Sequence, residues 1–560
     1  MSLYENIKER IIDKLADAAQ TAKAVGELNF IELPNYVLEE PRERQHGDLA
    51  TNLAMVLAKQ AKRSPRDIAT ILIKHLDTTG TWIESTEIAG AGFINFRLNP
   101  LWLTDVINEV LKAGERYGQV DIGKGQRIQV EFVSANPTGL LHMGNARGAA
   151  LGDSLASLLS MAGYEVTREF YINDTGNQIH NFALSLESRY LQQLGQDCPF
   201  PEEGYHGEDL IDTVKGLIAK VGDKYISVEP ELRREFLVRY ALHEKIQDIK
   251  ETLQDFGVEY DVWFKEQSLH DSGEVRSTLE ELEKKGYIYE KEGALWLKCT
   301  LFGDEKDEVV VRSDGTPTYF AADIAYHRNK FERGYTRVIN IWGADHHGHV
   351  SRLKGAVSAF GYDKDNLQVI LMQLVRLIKN GEVVKMSKRS GKYVTLRELM
   401  DEVGKDAARF FFILRDPDSA VDFDLDLAKA QSADNPVYYA QYAHARMCSI
   451  LRQAEEIGDT GNPPSEDDLK RLDSSEERNL LKKMADLPGE ISIAARLMEP
   501  HRLARYVLDV AALFHTFYNS HRVLVDDKGL RRARLSLVSA LKQIISNVLG
   551  ILGVSAPEKM

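Results

Sequence analysis

Two short stretches hold residues that could do chemistry. In "NPTGLLHMGNARG" (136–148), Pro137, Thr138 and Gly139 lead to His142 and Gly144, with Asn145 closing the run. Glycines at a strand-to-helix turn let backbone approach a ligand, and a helix N-terminus favours phosphate. An imidazole placed there can donate to developing negative charge. Alone, the stretch fits equally a phosphate site or a tight turn with an incidental histidine. The second stretch is "VVKMSKRSGKYVTL", where Lys385, Met386, Ser387 and Lys388 lie between Gly381 and Gly391. Two lysines three apart on a glycine-flanked loop can clamp a polyphosphate as point charges. Alone, this too reads as a solvated loop. No GxxxxGK[ST] and no GxGxxG occurs, so neither a P-loop nor a dinucleotide fingerprint is supported.

The elements around these stretches give them meaning. "RIQVEFVSAN" reads as a buried strand with Ile128, Val130 and Phe132 on one face. The first motif follows, then a helix ("ARGAALGDSLASLLSMAGY") and a second strand ("EVTREFYIN"). This is the β-loop-α-β opening of a nucleotide-binding doubly wound sheet. A charged, helix-rich stretch over about 184–284 interrupts it as an insertion. The α/β pattern returns with "ALWLKC", "EVVVRSDGT", "RVINIWGADHHG" and "NLQVILMQLV", and the lysine loop follows the last of these.

The predicted organisation is multidomain α/β. Residues 1–118 form a small α+β domain, in which Asp48 caps a helix over "GDLATNLAMVLAKQ" and "STEIAGAGFINFRL" is a strand with a glycine interruption. "AGERYGQVDIGKGQ" supplies a linker. A Rossmann-type domain covers 119–375, a connecting segment with the lysine loop 376–427, and an all-α bundle 428–560.

Bulk properties narrow the classes. At 560 residues the chain needs several cores. Its 43% hydrophobic and 28% charged residues are ordinary for a globular protein, and no apolar run approaches a membrane span. The amphipathic start "MSLYENIKERIIDKLADAAQ" has no signal-peptide core, and the three scattered cysteines suit a reducing cytoplasm. A net charge of -15 argues against indiscriminate nucleic-acid binding but leaves a structured nucleic-acid partner open.

Taken in order, the histidine turn and the lysine loop resemble the HIGH and KMSKS signatures of class I aminoacyl-tRNA synthetases. "VEFVSANPTGLLHMGNARGAALGDSLA", "YINDTGNQI", "DGTPTYFAADIAYH", "WGADHHGHVSRLK" and "NPVYYAQYAHAR" are similar to the arginyl-tRNA synthetases of that class. So are "HGDLATN" and "GAGFINFRL" near the start and "VSAPEKM" at the end. The resemblance covers nearly the whole chain, most thinly around 198–234. Asn145 departs from it, standing where a second histidine completes the usual signature.

The resemblance implies ATP with Mg²⁺, L-arginine and tRNA(Arg) as partners, a cytoplasmic monomer, a DALR-type C-terminal domain and no tightly bound zinc. It assigns His142, Gly144 and Asn145 to ATP, and Lys385, Ser387 and Lys388 to the leaving pyrophosphate. A guanidinium needs planar carboxylate acceptors in fixed places. Glu131 and Asp323 are the expected acceptors, with Tyr319 walling the pocket and Ser134 and Asn136 orienting the substrate's amino and carboxylate ends. Asp323 is expected on a helix opened by Thr316 and Pro317, one turn beyond Tyr319. Asp345 is a further arginine-pocket candidate, and His346 or His347 is placed near adenine or ribose. Tyr439, Tyr442 and Met560 are expected at the anticodon, and Asn95 and Phe96 at the tRNA elbow.

Three other readings compete. A synthetase for glutamate, glutamine or cysteine would want a basic, amide-reading or zinc-thiolate pocket. A small nucleotidyltransferase would not need the helical C-terminal domain. A catalytically dead tRNA-binding paralogue would not need His142, Lys385 and Lys388.

Overall fold

A computed structural model describes residues 3–41, 46–99, 101–384, 394–458 and 463–560. The lysine loop, Lys385, Met386, Ser387 and Lys388 included, lies outside the described residues.

The centre is a five-stranded, all-parallel sheet: β1 (Arg127–Glu131), β2 (Glu165–Ile172), β3 (Val262–Lys265), β4 (Arg337–Gly343) and β5 (Leu367–Met372). The order is β5-β4-β1-β2-β3, so the winding reverses between β1 and β4. In open α/β sheets the crevice beyond the carboxyl ends of the strands at such a switch point is where ligands bind. Helix α1 (Met143–Met161) follows β1 and is buried along most of its length, as a helix packed between layers must be. Gly152 permits its close approach, because a Cβ there would meet the Phe132 ring at 2.2 Å.

Two buried arginines tie α1 to distant chain. Arg147 donates to the carbonyls of Gln373, Asp416 and Ser419 at 2.6–2.9 Å, and burial lowers its pKa to about 10. Arg409 donates to Asp153 on α1 (2.5 Å) and to the Leu552 carbonyl (3.1 Å) near the chain's end.

Several expectations change here. β3 belongs to the parallel sheet yet falls inside the span read as an insertion. The helical excursion is therefore shorter: Gly176–Gln193, Glu208–Val221 and Pro230–Asp255, around a small core that includes Phe182, Tyr190 and Leu237. "ALWLKC" and "EVVVRSDGT" do not resume the parallel sheet. They contribute Ala294–Leu297 and Glu308–Val311 to a separate antiparallel sheet with Ile288–Lys291.

In the N-terminal domain, "STEIAGAGFINFRL" is a hairpin, Ile83–Ala89 and Phe93–Leu98, because the glycines turn the chain. Asp48 caps no helix: Leu49–Thr51 is a strand and Asn52 precedes the helix Leu53–Ala61. The Asp48 carboxylate instead accepts the Leu98 N–H (2.9 Å) and pairs with Lys482 of the C-terminal bundle (3.1 Å). The expected linker is built in as well. Tyr117 is buried and its hydroxyl donates to the Met484 carbonyl at 3.0 Å.

The segment after β5 forms a small sheet of its own, with Val375–Lys379 between Glu382–Val383 and Val421–Asp424. The C-terminal bundle contains α2 (Pro436–Glu456), α3 (His501–Ser520) and α4 (Lys528–Ile551), with Ser475–Leu497 packed among them. One apolar cluster runs without a break from Ile7 of the first helix through α1 to Val554.

Candidate active site

β1 carries Glu131 to the switch point, and the chain then turns sharply. Val133 and Ser134 have φ of 68° and 38°. A β-branched residue in the left-handed region is strained, and such strain clusters at ligand sites. The turn lets the Ser134 hydroxyl donate to Glu131 Oε1 (2.9 Å) while accepting the Tyr171 N–H (3.1 Å) from β2. Pro137, Thr138 and Gly139 carry the chain round and do not line the cleft.

His142 caps α1. Its Nδ1 accepts the Gly144 N–H at 3.1 Å, and Asn145 Oδ1 accepts the His142 N–H at 3.0 Å, a capping box. With Nδ1 an acceptor, the neutral ring carries its proton on Nε2, as a donor to an anion. Distant chain is laid against this turn. Met143 donates to the Val394 carbonyl (3.2 Å), Leu396 donates to the Leu141 carbonyl (2.9 Å), and His142 pairs with Thr395. Both flanks of the lysine loop are thus anchored, the other by the Val384 N–H on the Leu377 carbonyl at 2.8 Å.

Across the cleft lies the helix Tyr319–Glu332, capped at Thr318 rather than opened by Thr316, whose hydroxyl donates to Asp314 instead. Asp323 is buried on this helix and its Oδ2 meets His349 Nε2 at 2.9 Å. Burial raises the Asp323 pKa, and the His349 bond opposes that rise. The Asp323 charge raises the Tyr319 pKa. Glu131 Oε2 is held by Lys330 Nζ at 2.5 Å. Beside them Glu169 receives both Arg333 nitrogens (2.6 and 2.8 Å) and the Tyr326 hydroxyl (2.7 Å). Burial works against that carboxylate, but Arg333, Lys330 and Tyr326 outweigh it and lower its pKa.

Between these walls is a cleft of about 700 Å³. It brings together Glu131, Ser134, Asn136, His142, Gly144, Asn145, Tyr319, Asp323 and Asp345. Asp345 stands at the rim with its side chain 83% exposed. Of the histidine run, His346 and His349 face the cleft, and His347 is not among its lining residues. Sequence reasoning missed Tyr171, Trp342 and His349, which also line it. His349 had a signal, one turn after His346; Tyr171 and Trp342, at strand ends, had none beyond their position.

The anticodon candidates lie on α2. Tyr442 stacks on His515 of α3 (centroids 5.9 Å apart) and on Tyr438 (6.0 Å), while Tyr439 packs on His515 at 4.8 Å. The tail binds the same helix, His444 donating to the Pro557 carbonyl (2.9 Å) and Gln441 to Ser555 (3.0 Å), and ends at exposed Met560. Asn95 and Phe96 depart from expectation. Phe96 is fully buried in the domain core and Asn95 is 5% exposed on the opposite face of a central strand, so neither offers its side chain to a tRNA surface.

Comparison with known proteins agrees with this layout. Residues 5–98 match the family "Arginyl tRNA synthetase N terminal domain", 106–447 match "tRNA synthetases class I (R), catalytic domain" and 440–560 match "DALR anticodon binding domain". The chain is 76% identical to the arginine–tRNA ligase of Desulfitobacterium hafniense and 60% identical to that of Moorella thermoacetica, over the full length of each. The arginyl-tRNA synthetase structure from Thermus thermophilus superposes with a TM-score of 0.73 at 25% identity, over 98% of this chain and all of that one. Three matching domains in order and full-length identity of this degree place the chain in the arginyl-tRNA synthetase family of class I.

Proposed function

We infer that the cleft joins L-arginine to ATP as arginyl-adenylate and that the chain passes arginine to the 3′-terminal adenosine of tRNA(Arg). The observation that carries this reading is the pairing of two buried carboxylates, Glu131 and Asp323, with the His142-capped start of α1 in one cleft. The carboxylates suit a guanidinium, and the helix start suits phosphate.

In the first step the arginine carboxylate attacks the α-phosphorus in line, a new O–P bond forms and pyrophosphate leaves. The chain's work is positioning and charge stabilisation. Glu131, Asp323 and Tyr319 hold the guanidinium end, and Ser134 and Asn136 orient the amino and carboxylate ends. His142 Nε2–H and the Gly144 backbone meet the α-phosphate side. Lys385, Ser387 and Lys388 meet the departing pyrophosphate, whose charge Mg²⁺ would help to offset. In the second step the 2′-hydroxyl attacks the mixed anhydride carbonyl and AMP leaves. Tyr439, Tyr442 and Met560 line the anticodon site, where the exposed Tyr442 ring is suited to stack on a base. The chain acts as a monomer.

Arginine-dependent ATP–pyrophosphate exchange tests the reading. Exchange is expected with arginine once tRNA(Arg) is present and not without it. Exchange with another amino acid, or none with tRNA(Arg), overturns it.

A further inference from the structure

We propose that Lys330 is the resident counter-ion that holds Glu131 in the orientation in which it receives the arginine guanidinium; this rests on the reading of Glu131 as part of the arginine pocket. Lys330 lies seven residues beyond Asp323 on the same helix, and its side chain has no exposure. Its Nζ touches Glu131 Oε2 (2.5 Å) and Asn340 Oδ1 (3.0 Å), and lies 4.2 Å from the centre of the Tyr326 ring.

The contact is held by further bonds. Asn340 Nδ2 donates to His327 Nε2 (2.7 Å), and His327 Nδ1 donates to the Asp323 carbonyl (2.8 Å). That pattern requires a neutral His327. Burial, with help from Lys330, pushes the His327 pKa well down and keeps it so. The amide of Asn340 is thereby fixed with its oxygen toward the ammonium. One chain of hydrogen bonds links the side chain of Glu131 to the backbone of Asp323, so the two guanidinium acceptors are set relative to each other before substrate arrives.

An ammonium removed from water is costly unless paired, and removing one partner of a buried pair leaves the other uncompensated. Glu131 itself is met by the Ser134 hydroxyl at Oε1 and by Lys330 at Oε2. Arg333 is taken by Glu169. Among the described residues Lys330 is the cation in contact with Glu131.

Without the ammonium, Glu131 loses the contact that fixes Oε2 and the charge that compensates its own in the buried wall. The test is arginine binding by titration calorimetry on the full chain, with ATP binding measured beside it. It compares wild type, Lys330→Met, Glu131→Gln and the double variant. Lys330→Met is expected to weaken arginine binding roughly 30-fold and to leave ATP affinity within about twofold. In the Glu131→Gln background the same substitution should weaken arginine binding no further. An equal further loss in that background, or no loss from Lys330→Met at all, overturns the counter-ion role while a weakened Glu131→Gln keeps the pocket reading. Wild-type affinity in Glu131→Gln overturns the pocket reading itself. Should Lys330→Met not fold, the double variant decides. Recovery of folded protein when both charges go supports the pair, and a double variant that also fails to fold overturns it.

Discussion

The two walls of the cleft are built on opposite plans. The wall proposed for arginine is a set of buried side chains whose hydrogen bonds are already made: Glu131 to Ser134 and Lys330, Asp323 to His349, Glu169 to Arg333. The wall proposed for phosphate is mostly backbone, comprising a helix start capped by His142 and Asn145, the end of β5, and the anchored flanks of a lysine loop. The difference suits the proposed ligands. A guanidinium is flat and read by direction, so its acceptors must be fixed in advance. A polyphosphate is read by charge, which helix starts and lysine ammonium groups supply from many angles.

If the plans are separate, damage to one wall should spare the ligand of the other. Asp323→Asn should lower kcat/KM for arginine by about a hundredfold or more, the cost of leaving a desolvated charge unpaired. ATP KM should move less than about twofold, since uniform loss at both ligands needs a shared contact. Steady-state pyrophosphate exchange with each substrate varied checks this, and equal changes for both would break the comparison. The same residue gives a pH signature. Burial raises the Asp323 pKa, so wild-type kcat/KM for arginine should fall as pH drops and Asp323 takes up a proton. In Asp323→Asn that acid limb should flatten.

His142→Ala is the mirror experiment. Loss of a donor to developing charge should lower kcat about a hundredfold. Arginine binding, measured separately by calorimetry, should hold within about twofold on the separate-walls argument. A large loss of arginine affinity would mean that the turn from Glu131 to His142 acts as one unit.

How far each wall could be read from sequence depends on how local its chain is. The turn from β1 into α1 is local chain, a strand, a turn and a helix start in one continuous run, so Glu131 of one wall and His142, Gly144 and Asn145 of the other were legible together. Asp323 and Tyr319 were legible because they lie one helical turn apart. The network behind them was not. Lys330 in "HRNKFER" looks like a solvated lysine, and Asn340 sits mid-strand in "RVINIW". Only the packing of the helix Tyr319–Glu332 onto β1 and β4 makes them partners of Glu131. β3 was hidden for a related reason. Four residues between Asp261 and Glu266 carry too short a pattern to separate from helix, and their place in the sheet is a long-range pairing with β2. The antiparallel sheet at Ile288–Val311 shows that strands can be visible while their partners are not.

The comparison extends to a third region, away from the cleft. Tyr442 is 37% exposed and stacks on Tyr438 and His515, a ready platform for a base. Removing one base-stacking ring costs about 1–3 kcal/mol. Tyr442→Ala should therefore raise the KM for tRNA(Arg) by about tenfold with arginine and ATP binding intact, read by charging at varied tRNA. An unchanged tRNA KM would mark the ring as bundle packing.

Asn145 sharpens the phosphate wall itself. Its Oδ1 is committed to the His142 N–H, so the side chain serves the cap, and its Nδ2 hydrogens are what it can offer a nucleotide. Substitutions separate the two jobs. Asn145→Ala removes both, and should lower stability by about 1 kcal/mol and weaken ATP binding a few-fold. Asn145→His can keep an acceptor for the cap and a donor for ATP, and should restore ATP use. Asn145→Asp decides between the jobs. It retains the acceptor at the cap and favours the helix dipole, so thermal stability should match or exceed wild type. It also replaces a donor with a negative charge facing phosphate, so ATP KM should rise further than in the alanine variant. If the aspartate variant keeps wild-type ATP KM, the last position of the motif serves the helix alone, and the phosphate wall is backbone and histidine.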